Sequence, residues 1–181
     1  FDATGRVVVE GLLGAVKARP EPDRANSEQE AAMTGAGALT GKIWVTRRGV
    51  EVDRIASAWL VRRFIDPAAR FKFVATKGYV PAPNELRFDM FEAEITHVGE
   101  QCTFEVLLVK LGLDDPALKS IAEIVHDLDL KDGKFAREEA TGIARLLAGI
   151  YAQTADDDAR LARGGALFED LYRSFGGEAR P

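Results

Sequence analysis

Apolar residues follow one spacing in the first part of this chain's body and another in the second. Lys42 to Thr46 (KIWVT) is a short run of β-favouring residues, and Phe71 to Thr76 (FKFVAT) alternates in the manner of a strand. Between them the period becomes helical. Asp53 stands where an N-cap belongs, Ile55, Trp59 and Phe64 recur along one face, and Asp66-Pro67 ends the helix, because proline disfavours helical backbone at the residue before it. Leu86–Met90 and Ala93–His97 read as two more short strands, set off by Gly, Pro and Asn. A strand, helix, strand order is that of a parallel crossover.

After this region the helical period persists. Phe104 to Leu111 turns Leu107, Leu108 and Leu111 inward. Asp114-Asp115-Pro116 supplies a cap and a proline in the first turn for a helix running to about Leu128. Ile143, Leu146, Leu147, Ile150 and Tyr151 mark a third helix between Arg137 and Ala152. The acidic run Asp156–Asp158 opens a fourth, carrying Leu161, Phe168, Leu171, Tyr172 and Phe175. The expected fold is α/β in the α+β sense, a small mixed sheet in the N-terminal half packed by a predominantly helical C-terminal half.

The ends differ from this body. Phe1 to Lys17 reads as a short amphipathic element weakened by Gly11 and Gly14, and Ala18 to Gly41 is a Pro-, Glu-, Ala- and Gly-rich stretch without aromatics, the composition of a linker. Residues 1–41 are thus expected to be an appendage, 42–176 one folded unit and 177–181 a tail. A chain of 181 residues with 46% hydrophobic content suffices for one core of ordinary size. The net charge of −5 repels phosphate backbones, so nucleic acid is not an expected partner of this chain. No apolar run approaches the roughly 20 residues of a membrane span. A single cysteine excludes an internal disulfide and suits a reducing compartment, so a cytoplasmic location is expected.

Two regions carry candidate chemistry. The only imidazoles and the only thiol are His97, Cys102 and His126, and Glu94, Glu100, Glu105, Asp127, Asp129 and Asp132 lie near them in sequence. His126 and Asp129, three apart on a helix, share a face, a spacing with which bundle helices offer two ligands to one metal. Asp127 points elsewhere unless the helix ends before it. His97, Glu105, His126 and Asp129 form the expected ligand set for a divalent ion, and imidazole with carboxylate suits iron, manganese or zinc. Each histidine also has a plain structural reading, and Cys102 reads first as a small buried hydrophobe, with a thiolate ligand or redox thiol as its alternative. The second region runs from Lys42 to Lys72, where eight basic residues face three acidic ones. Arg47 and Arg48 close a strand and Arg54 opens a helix, whose free N–H groups already favour an anion.

The strings VDRIASAWLVRRFIDPAARFKFV, Phe88-Asp89, ITHVGEQCTFE and IVHDLDLKDGKFAREEATGI, in that order, resemble the chromate-resistance domain of the ChrB family over roughly Lys42 to Phe175. That resemblance implies a link to chromate resistance or chromate-responsive regulation, with a small oxyanion such as chromate as ligand and a rhodanese-like domain or transporter as an operon partner. Carried over by position, the family pattern points to Asp53, Arg54, Trp59, Arg63, Asp89, His97, Cys102, Glu105 and Asp129. Arg63 thereby joins Arg47 and Arg54 as the expected anion-binding residues. The basic helix-turn-helix region of some members has no counterpart before Lys42. Three functions fit: a metal-dependent protein acting on an anionic substrate, a non-catalytic chromate or metal sensor, and, more remotely, a histidine–aspartate phosphohydrolase using His97, His126-Asp127 and Asp157.

Overall fold

A computed structural model describes residues 37–75 and 77–178. The expected N-terminal element, most of the expected linker and the last three residues of the expected tail lie outside the described residues. Strand β1 (Ile43–Arg47) is the centre of a three-stranded sheet, with β2 (Arg70–Val74) on one side and β3 (Glu85–Arg87) on the other. Every pairing is parallel, which refines the mixed sheet expected above: Ile43 is in register with Arg70 on one flank and with Glu85 on the other. Parallel strands need a crossover, and helix α1 (Val52–Leu60), prolonged by a π-helical turn at Val61–Ile65, provides it between β1 and β2.

The remaining elements are α2 (Thr103–Leu111), α3 (Pro116–Leu130), α4 (Glu139–Gln153) and α5 (Asp157–Ser174). The expected strand at Ala93–His97 is a loop instead. Its only ladder contact is a single bridge from Ile95 to Phe88, because the segment lies beyond the short β3 and has no partner strand of its own length. Of that segment Ile95 alone is buried. Among the described residues no helix is long and apolar enough to cross a membrane.

Helix α1 is the hub, and all nine of its residues are buried. One face of the sheet, through Trp44 and Phe88 in an edge-to-face contact, joins the same core as Ile55, Leu60, Leu107, Ile121 and Phe168. The opposite sheet face holds only a small cluster around Val45, Val74 and Met90. Helix α5 comes close to α1 at Gly164, where an added Cβ would lie 2.4 Å from Ile55 Cγ2. That close approach needs the missing side chain. Trp59, Phe64 and Tyr172 complete the contact, and the Tyr172 hydroxyl donates to Asp115 Oδ2 (2.6 Å), the residue whose Oδ1 accepts from Ala117 N and Leu118 N at the start of α3.

Two caps depart from expectation. Asp53 is inside the first turn of α1 and the N-cap position belongs to Glu51, so the Asp53 side chain is free to serve another helix. Of the acidic run before α5, Asp156 caps its own helix through Ala159 N, while Asp157 reaches across to accept from Gly49 N (2.9 Å) and Val50 N (2.8 Å). The β1–α1 loop is thereby tied to α5. Leu146, placed by its period on the inner face of α4, is 55% exposed.

Gly164 and Gly149 separate packing from propensity, since nothing lies within 4 Å of a Cβ added at Gly149. Gly149→Ala is expected to raise stability by up to about 1 kcal/mol, the difference in helix propensity. Gly164→Val is expected to lower it by about 1–3 kcal/mol through overpacking against Ile55. Urea denaturation of the two variants checks this, and a Gly164→Val protein as stable as wild type would contradict the close α1–α5 contact.

Candidate metal centre

The first turn of α2 has N–H groups without partners in their own helix, and a carboxylate from α1 meets them. Asp53, 1% exposed, accepts from Phe104 N through Oδ1 (2.8 Å) and from Thr103 N through Oδ2 (2.8 Å), and Ser57 Oγ donates to Oδ1 at 3.3 Å. A buried carboxylate so placed exchanges water for fixed donors and the positive end of a helix. Asp89 arrives from the loop after β3 in a left-handed conformation (φ 43°) and accepts from Thr103 Oγ1 at 3.2 Å. Asp129 arrives from the last turn of α3.

All three carboxylates converge on one atom. His97 Nε2 lies 3.2 Å from Asp53 Oδ2, 3.3 Å from Asp89 Oδ1 and 3.3 Å from Asp129 Oδ2. One ring nitrogen carries one hydrogen at most, so it cannot satisfy three acceptors. The surplus negative charge shows in the acidities. Hydrogen bonding to Asp53 holds the imidazolium above its usual range, against the opposing effect of burial, with Asp89 and Asp129 adding to the rise. Burial first, then the charges of Asp53 and Asp89, push Asp129 up to about 6. Burial and Asp53 likewise raise Asp89. The cluster favours added positive charge, and ligand atoms of Asp53, His97 and Asp129 all lie within 4.8 Å of one another. One nitrogen and several carboxylate oxygens fit a borderline or hard divalent ion.

Beside this cluster Arg54, 3% exposed, donates from Nη2 to the Gly49 carbonyl (3.1 Å) and sets Nε 3.6 Å from Asp89 Oδ2. Burial and the charge of Arg47 lower its pKa, and Asp89, Glu51 and Asp129 act in the opposite sense. Arg47 is exposed at the end of β1 and close enough for that repulsion. Arg63 belongs to a different environment: Nε is 3.3 Å from Glu169 Oε2, Nη2 donates to the Glu178 carbonyl, and the guanidinium lies over Phe64 and Tyr172. Glu169 and Glu178 hold it where Gly49 and Asp89 hold Arg54, so of the three expected anion-binding arginines only Arg47 and Arg54 stand together.

The expected ligand set is likewise divided. His97 and Asp129 lie together, with Asp53 and Asp89 beside them and not Glu105 or His126. His126, fully buried, instead places Nδ1 2.8 Å from Glu105 Oε2 and Nε2 3.2 Å from Asp132 Oδ2, with the Phe135 ring edge-on. Glu105 Oε2 also accepts from Cys102 N (2.8 Å), bracing the start of α2. Helix α3 continues through Leu130, which turns Asp127 away to accept from Phe135 N and Ala136 N. Ligand atoms of His126, Asp127 and Asp132 also lie within 4.8 Å of one another, yet both ring nitrogens and both Asp127 oxygens are already engaged. This second group reads as an imidazolium clamp. Cys102 is fully buried at the N-cap of α2, and burial with the nearby Asp53 charge pushes its thiol far up, so a thiolate role is disfavoured. Asp127 and Asp157 both serve backbone N–H groups, so they do not complete the histidine–aspartate phosphohydrolase set with His97 and His126.

The clamp has a pH signature. Burial alone would lower the His126 pKa, but hydrogen bonds donated to Glu105 and Asp132 outweigh it and raise the value above 6.5. A raised histidine stabilises the fold fully below about pH 6.5, and that contribution fades as pH rises through the folded-state value. The stability gap between wild type and His126→Gln is therefore expected to be largest near pH 6 and to narrow by about pH 8.5. Urea midpoints across that range test it; a constant gap would mean that His126 is neutral in the fold.

Comparison with known proteins places this architecture. The family described as "ChrB, C-terminal domain" matches residues 44–175, from within β1 to just past α5. Protein ChrB of Cupriavidus metallidurans is 40% identical over 136 residues, covering 75% of this chain and 41% of that relative. The chain thus spans about two fifths of the relative's length. No solved structure matches. Asp53, Asp89, His97 and Asp129 all fall inside the matched segment, and the chain belongs to the ChrB C-terminal domain family.

Proposed function

We propose that this chain is a metal-binding domain serving chromate or other oxyanion stress resistance, in which Asp53, His97 and Asp129, with Asp89 beside them, hold a divalent iron, manganese or zinc ion. The observation that carries the reading is the convergence of three carboxylates on His97 Nε2. A bound ion with an open coordination position would supply Lewis acidity toward a small anionic substrate. The chain's own groups set the rest. Asp53 is fixed by two α2 N–H groups, Asp89 by Thr103 and Arg54, and Arg54 offers a guanidinium beside the cluster.

A second reading is a sensor without turnover. Asp53 serves both the cluster and the start of α2, so ion binding would be felt directly in the α1–α2 contact. The greater length of the Cupriavidus metallidurans relative leaves room there for a separate responding part. A neighbouring transporter or regulator gene favours this reading; a neighbouring metabolic enzyme or rhodanese-like protein favours catalysis.

Metal content after reconstitution with manganese, iron or zinc and gel filtration tests the site. Wild type and His126→Gln are expected to retain stoichiometric metal, and His97→Ala and Asp129→Asn to lose most of it. Equal retention by wild type and His97→Ala, or loss in His126→Gln alone, would move the ion elsewhere.

A further inference from the structure

Two buried polar groups, one beside the carboxylate cluster and one within its electrostatic reach, have no hydrogen-bond partner among the described residues. Arg54 is 3% exposed, and its Nε and Nη1 make no hydrogen bond, although Nε lies in the field of Asp89. The Tyr151 hydroxyl, near the C-terminal end of α4, is likewise buried and unpaired. Leaving such groups unsatisfied costs about 1–3 kcal/mol each, so native proteins rarely do it without a ligand or water. Arg54 and Tyr151 are within electrostatic reach of each other, and both feel Asp129 and Glu51. Burial, with Glu51 next, pushes the Tyr151 phenol up to about 12, so at neutral pH it is a hydroxyl with a hydrogen to give.

The surroundings hold both groups in place. Nη2 of Arg54 is occupied by the Gly49 carbonyl, and that loop is pinned by Asp157. The Tyr151 ring is covered by the Arg160 guanidinium, 5.3 Å from its centroid, and Arg160 is itself bonded to the carbonyls of Thr154 and Tyr151. Fixed donors of this kind bind without much ordering cost.

We propose that Arg54 and Tyr151 form an oxyanion niche at the edge of the carboxylate cluster, with Tyr151 as its recognition hydroxyl and with occupancy conditional on a cation held by Asp53, His97 and Asp129. The ligand class is a small tetrahedral oxyanion, able to accept from Arg54 Nη1 and Tyr151 Oη together. The conditional part follows from charge: Asp89 and Asp129 repel an anion until positive charge offsets them. This dependence rests on the metal reading; the donor pair does not.

Sulfate is the probe, titrated calorimetrically into the full chain. Manganese-loaded wild type is expected to bind it, metal-free wild type at least about tenfold more weakly, and manganese-loaded Tyr151→Phe at least about tenfold more weakly with unchanged manganese content. Equal sulfate affinity in wild type and Tyr151→Phe, or no binding to the manganese-loaded protein, would overturn the niche and leave an internal water as the partner of both groups. Equal affinity with and without manganese would overturn the dependence on the cation. If wild type takes up no manganese, the metal reading fails separately, and Asp129→Asn, which removes one repelling charge, replaces the loaded protein. Sulfate binding by Asp129→Asn that is lost in Asp129→Asn/Tyr151→Phe then upholds the donor pair, and its absence overturns it.

Discussion

The carboxylate of Asp53, buried against the first turn of α2, is the interaction on which this arrangement turns. It spends both oxygens on backbone N–H groups of Thr103 and Phe104, so it fixes where α2 begins relative to α1. The same Oδ2 faces His97. A residue that shapes the core and also lines the site leaves little freedom between them: loss of its charge would loosen a helix and empty the cluster of one donor at once. The buried position is tolerated because charge-assisted bonds to a helix terminus compensate desolvation in a way that an apolar setting would not.

Around that fixed point the molecule separates two kinds of ionic chemistry that the linear chain mixes. On one side of the α2 start, three carboxylates compete for one imidazole nitrogen and remain short of positive charge. On the other, Glu105 and Asp132 bracket His126 with one carboxylate for each nitrogen. The first arrangement is unbalanced and suits binding; the second is balanced and suits holding α2 against α3. Glu105 belongs to the balanced side because its oxygen also answers the Cys102 N–H, a local capping demand met within three residues.

Much of this is legible in the sequence. The helical periods of the C-terminal half, the Asp115-Pro116 start and the β1–α1–β2 crossover follow from patterns spanning a few residues, which local sterics enforce. The site is legible only in part. Residue type marks His97 and Asp129, but Asp53 looks by position like the cap of its own helix and is 44 residues from the histidine it meets. Only the family pattern marks it and Asp89 as site residues. The spacing of His126 and Asp129 suits one shared ion, yet positions three apart on a helix differ by about 60° in direction, enough for each to be taken by a different neighbour. Nothing local to Tyr151 distinguishes it from the apolar stripe of α4.

The tie from Asp157 to the amides of Gly49 and Val50 bridges more than a hundred positions of chain. During synthesis, β1, α1 and the loop bearing Gly49 leave the ribosome long before the residue that fastens them. The bed in which Arg54 lies is closed by one of the last helices to emerge, so a nascent or C-terminally shortened chain would possess every acidic member of the cluster while its arginine side stayed unfastened.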